Sequence, residues 1–143
     1  MAAPTIRQIR AGLAARLDTI SGLRTFSFVP GQFSPPAGIV GMPERPKTET
    51  FQRGTDTYEV SVWIVVSRQS DRSAEKNLEP FLDATGTSSV RTAMLGDTTL
   101  GGTVNDLFEM SAEPVDFRFG TGDQEQVYIG LEFRYRIVAA GKD

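Results

Sequence analysis

"DTYEVSVWIVVSR", residues 56–68, decides the fold. Successive side chains of an extended chain point to opposite sides. Tyr58, Val60, Val62, Ile64 and Val66 therefore share one face, and Glu59, Ser61, Trp63, Val65 and Ser67 share the other. The first set is apolar throughout and reads as a core face. The second begins polar and turns apolar at Trp63 and Val65. That far half is expected to be covered by a helix, a loop or a neighbouring subunit.

Further strands emerge from the same period. "QVYIGLEFRYRIVA" (126–139) places Val127, Ile129, Leu131, Phe133, Tyr135 and Ile137 on one face. Tyr128, Gly130, Glu132, Arg134 and Arg136 fall on the other. "TVNDLFEMSA" (103–112) and "EPVDFRFG" (113–120) read as two more strands, with Val115, Phe117 and Phe119 alternating in the second. "TGDQE" (121–125) supplies turn residues that tolerate positive φ. "RTFSFV" (24–29) is a short strand with Phe26 and Phe28 on one side.

Helices are read from a different period. Ile6, Ile9, Leu13, Leu17 and Ile20 recur at spacings of three and four, which predicts an amphipathic helix over 5–20. Pro4 suits its start and Gly22 its stop. Arg7, Arg10 and Arg16 lie off the apolar stripe and read as a solvated basic side. "SDRSAEKNLEPFLDATG" (70–86) reads as a helix capped by Ser70 or Asp71, with Pro80 imposing a kink or break. "TSSVRTAMLGD" (87–97) is a short helix capped by Ser88 or Ser89 and stopped by Gly96.

The stretch between the first two strands is of another kind. Residues 30–56 hold five prolines and four glycines. Only "AGIVGM" (37–42) is fit to pair as a strand, since proline removes a ladder donor. Residues 30–55 are thus expected to form an extended loop or arm, long enough to suggest a functional rim. The whole chain, 1–143, reads as one α+β domain. It should hold a mostly antiparallel sheet of four to five strands packed against two to three helices.

Composition narrows the chemistry. The chain has 143 residues, 39% of them apolar, enough for one sizeable core. It has no run of 18 apolar residues for a membrane span and no continuous apolar stretch of the kind a signal peptide needs. It has no Cys and no His. That removes the thiolate nucleophile, the commonest acid/base group and the usual zinc or iron ligands. The charge is mildly acidic, with 15 basic against 18 acidic residues, which disfavours a dedicated nucleic-acid binder. Only three of the basic residues are Lys, and the Arg excess hints at protein interfaces.

Three motifs need testing. "GDTTLGGT" (96–103) matches a phosphate loop until Gly102, which stands where the phosphate-binding Lys belongs. It also follows a helix and opens a strand, the reverse of the required order. A calcium loop fails for lack of ligands around Asp97, Asn105 and Asp106. The reading left is a glycine bend carrying the chain from a helix into a strand. Carboxylate pairs such as Glu109 with Glu113, or Asp116 with Glu132, show no sign of the burial that tunes catalysis. "FRYR" (133–136) alternates arginine with aromatics, so the two lie on opposite faces and cannot jointly hold a nucleic acid.

Four motifs in order are "PPAGIVGMPE" (35–44), "FQRGTDTYEVSVWIVVSR" (51–68), "LEPFLDATGTSSVRTAM" (78–94) and "DTTLGGTVNDLFEM" (97–110). This ordered set resembles the tail terminator proteins of long-tailed bacteriophages, those of actinobacteriophages in particular. The resemblance implies a small α+β domain that forms a homo-hexameric ring in the virion, assembled in the host cytoplasm. Such a ring caps the tail tube, stops polymerisation of the tail tube protein and joins the head connector or neck protein. It implies no catalytic residue, no cofactor, no metal and no membrane. DNA would only pass through the lumen, where an acidic bore would keep phosphates from sticking. Other head–tail joining proteins, of the neck or head-closure kind, have similar size and composition. A small carboxylate-based enzyme or ligand-binding domain and a host-side adaptor are the remaining alternatives. Candidate interface residues are Phe51 and Arg53 in the arm, Trp63 on the half-apolar face, and Arg134 and Arg136 on the non-core face of the last strand.

Overall fold

The computed structural model describes residues 4–27, 36–44, 55–68, 74–119 and 126–140. The elements in chain order are α1 (Ile6–Leu17), β1 (Arg24–Phe26), β2 (Ala37–Val40), β3 (Thr55–Arg68), α2 (Ala74–Leu82), α3 (Val90–Leu95), β4 (Asp106–Phe119) and β5 (Gln126–Ala140). The strands form one five-stranded sheet in the order β1-β2-β3-β5-β4. Only β1 and β2 run parallel; the other neighbours are antiparallel. The architecture is α+β, with a mixed sheet and three helices.

All three helices lie on one face of the sheet. Ile9, Leu13 and Leu17 of α1, Leu78 of α2, and Val90, Ala93 and Met94 of α3 meet Val60, Val62, Ile64, Leu131, Phe133, Tyr135 and Ile137 of the central strands in one core. The faces expected of β3 and β5 are thus the faces buried.

Local chemistry sets the helix ends. Thr5 caps α1: its hydroxyl accepts from the Gln8 amide at 3.1 Å, and the Gln8 side chain accepts from the Thr5 amide at 2.8 Å. The helix closes at Leu17, earlier than the predicted 20. Thr19 and Ile20 donate to the carbonyls of Arg16 and Leu17, three residues back, so the last turn is tightened and Ile20 still reaches the core. Ser89 caps α3 by accepting from the Thr92 amide at 3.2 Å. The expected caps Ser70 and Asp71 of α2 lie outside the described residues.

Several sequence expectations change. α2 runs through Pro80 without a break and ends two residues later at Leu82. Pro80 is on the exposed side, where the backbone bond it forgoes can be replaced by water. The strands expected at 103–112 and 113–120 are one strand, β4, which bulges between Glu109 and Ser111. Pro114 does not end it because β4 is at the sheet edge. A second bulge lies between Val65 and Ser67 of β3. One extra residue reverses the facing of the residues beyond it. Ser67 therefore pairs with core-side Ile129 and is buried, with its hydroxyl unpartnered, instead of joining Trp63.

Two of the three helix arginines are not solvated either; only Arg7 is exposed as expected. Arg10 donates to the Val40 carbonyl at 3.0 Å, and the Arg16 Nε donates to the Ala93 carbonyl at 2.9 Å. They tie α1 to β2 and to α3. Within the expected arm at 30–55, residues 37–40 form β2, which is buried along its whole length between β1 and β3. Most of the rest of that segment lies outside the described residues, as does the 121–125 turn.

Candidate interaction face

The second face of the sheet carries no described helix, and three zones follow one another across it. At one end Ile39, Val65 and Tyr128 are buried, with Phe26, Trp63 and Phe117 packed against them. Two glycines make room for this cluster. A Cβ at Gly41 would lie 2.8 Å from the Trp63 ring, and one at Gly130 would lie 2.6 Å from the Phe117 ring. The chain's own aromatics thus provide part of the cover expected over the apolar half of β3, and Trp63 is half-buried among them rather than free.

The middle zone is a polar ladder between β3 and β5, whose register sets Glu59 opposite Arg136 and Ser61 opposite Arg134. Glu59 is its hub. One carboxylate oxygen lies 3.5 Å from Arg134 and the other 3.5 Å from Arg136. Arg134 also reaches the Ser61 hydroxyl at 3.2 Å and lies 3.9 Å from Glu132, to which Ser61 donates at 3.0 Å. These pairs are solvent-facing and each contributes about 0–1 kcal/mol. Their main effect is to hold two guanidinium groups at fixed places on the face.

The third zone is a shallow groove of about 650 Å³ lined by Thr57, Phe108, Met110, Arg136 and Val138. Phe108 and Met110 are 49% and 44% exposed, two of the four large apolar side chains left in solvent among the described residues. The bulge after Glu109 makes this patch: Phe108 lies opposite Arg136, and Met110 is the inserted residue.

The structure brings Arg134, Arg136 and Trp63 onto one face, with Arg136 in the groove. Phe51 and Arg53 lie outside the described residues. Glu59, although expected on this face, was not among the candidate interface residues, and neither were Phe108 and Met110. Glu59 could have been found by setting β3 against β5 in register. Met110 could not, because its bulge leaves no mark in the alternation.

The glycine bend is held by its own hydrogen bonds. Leu100, Gly101 and Gly102 have φ of 50°, 72° and 91°, three left-handed residues in a row. The Asp97 carboxylate accepts from the Thr99 amide and hydroxyl at 3.1 and 2.8 Å and from the Gly101 amide at 2.9 Å. Leu100, Gly102, Thr103, Val104 and Asn105 donate to backbone carbonyls. Each amide from Thr99 to Asn105 thus has an internal acceptor, leaving none to cradle a phosphate. The Thr99 hydroxyl first, then the two amides, hold the Asp97 carboxyl below its ordinary value. Among the described residues no group of three or more His, Cys, Asp or Glu side chains is placed to hold a metal ion. No described helix is long and apolar enough to cross a membrane.

The chain matches no protein-family model, and no curated protein is significantly similar to it.

Proposed function

We propose that this protein is a structural ring subunit of a phage tail, of the tail terminator kind: it caps the tail tube, stops its polymerisation and joins it to the head connector. The observation that carries the reading is the ordered set of four motifs. Their described parts fall on β2, β3, the α2–α3 pair and the bend into β4, so together they run through two strands, the start of a third and parts of two helices. A sheet face over which no described helix lies, with arginines held beside exposed apolar side chains, is the kind of surface that suits subunit contact. No catalytic role is proposed.

Two measurements test this. Light scattering on the purified protein should give a closed oligomer, six copies in the terminator reading. Electron micrographs of a phage lacking the gene should show overlong or headless tails. Normal virions would refute the reading, and tails of correct length that fail only to join heads would move the protein to the neck. Arg134→Glu should weaken the ring while leaving the melting curve near that of the parent. Unchanged assembly would limit Arg134 to its ladder within the chain.

A further inference from the structure

The exposed apolar side chains fall on both faces of the sheet. Phe108 and Met110 line the groove on the face without a described helix, beside Arg136. Leu82, 42% exposed, ends α2 on the helical face. Around Leu82, Glu79 and Asp83 are exposed, and the last turn of α2 has no basic residue. The C-terminus of a helix already carries a partial negative charge, so two carboxylates there add to it and call for a cation. The α2 end thus offers an apolar tip between two exposed carboxylates. The groove offers the complement, an apolar trough beside a half-exposed guanidinium whose ion pair with Glu59 uses only part of its five-donor fork.

We infer that a second copy of this chain docks the end of its α2, through Leu82 and Asp83, into the Phe108–Met110–Arg136 groove. The inference rests on the ring reading above and deepens it by naming the two surfaces that meet. Because they lie on opposite faces of one chain, the contact is heterologous, the type that closes into a ring or runs on as a filament. Leu82 fills the trough between Phe108 and Met110, and Arg136 takes Asp83 or Glu79 as an additional acceptor.

The absence of cysteine permits a direct test. Leu82→Cys and Phe108→Cys are made as separate chains, co-expressed and oxidised. A covalent dimer should form in the mixed sample, and neither variant alone should cross-link. The double variant should give a ladder. A cross-link within either single variant, or none in the mixture, overturns the pairing. Leu82→Asp should raise the concentration needed for assembly by about tenfold or more while the chain still folds, with a small drop in the monomer's melting temperature because a third carboxylate joins the α2 C-terminus. Arg136→Glu should weaken assembly, and Asp83→Arg added to it should restore part of the loss; assembly unaffected by Leu82→Asp counts against the proposal. A closed ring without the 82–108 cross-link overturns this pairing alone. Cross-linked open filaments uphold the pairing and overturn the closed ring, and a strict monomer overturns both.

Discussion

Replacing Leu100 separates backbone strain from burial. It is 5% exposed, belongs to the main core and has a φ of 50°. A Cβ added at Gly12 of α1 would stand 3.0 Å from the Leu100 Cβ, so bend and helix are in close contact. Truncating a buried leucine to alanine costs about 2–5 kcal/mol. Alanine keeps a Cβ and therefore keeps the left-handed strain, about 1–2 kcal/mol. Glycine loses that strain but adds about 0.5–1 kcal/mol of chain entropy. Glycine also gives up the buried Cβ, about 0.8 kcal/mol, so the two variants nearly balance. Leu100→Ala should therefore be strongly destabilised and Leu100→Gly about equally so, whereas at an ordinary φ glycine would be about 1–2 kcal/mol the worse. Urea unfolding, followed by circular dichroism and Trp63 fluorescence, measures both, provided the denaturant slopes agree. A glycine variant about 1 kcal/mol less stable than the alanine variant would refute the strain argument.

The buried Ser67 hydroxyl has no partner, so Ser67→Ala should stabilise by about 1 kcal/mol in the same assay, and a loss of stability would show that the hydroxyl is satisfied in solution. Gly130→Ala should destabilise by about 1–3 kcal/mol, because its Cβ would strike the Ile64 carbonyl oxygen as well as the Phe117 ring; if the obstacle is backbone, Phe117→Leu should not rescue it. Burial, then the charge of Glu109, pushes the Tyr135 phenol far above the ordinary tyrosine value of 10.0. Its folded form keeps the proton longer than the unfolded chain, so stability is intact below pH 10 and falls as pH rises above it, by up to about 1.4 kcal/mol per pH unit from this group. Tyr135→Phe should flatten that alkaline decline, and an unchanged slope would show that the group does not contribute. For Asp97 the sign is opposite: its carboxyl is held low, so its contribution is present above 3.8 and disappears as pH falls through the lowered value. Asp97→Asn should remove that acid dependence, seen as a flatter melting-temperature profile below about pH 4.

The sequence by itself determined the two central strands, the three helices and the facing of the main core, because hydrophobic alternation and helical spacing are local signals that burial on one face enforces. It also determined that the 96–103 loop could not be a Walker-type phosphate loop, since the Lys is missing. What only the tertiary structure decided depends on partners distant in the chain. The bulges at Val65–Ser67 and Glu109–Ser111 arise from matching one strand to another, and they alone put Ser67 inside and Met110 on the groove. The parallel pairing of β1 with β2 and the burial of β2 come from sheet order, which the Pro/Gly-rich flanks of β2 hid. The linking of Glu59 to Arg134 and Arg136 required the β3–β5 register, and so did the positions of those arginines on the non-core face. Strand periodicity tells which side a residue faces; only the pairing of strands tells which residues it meets there.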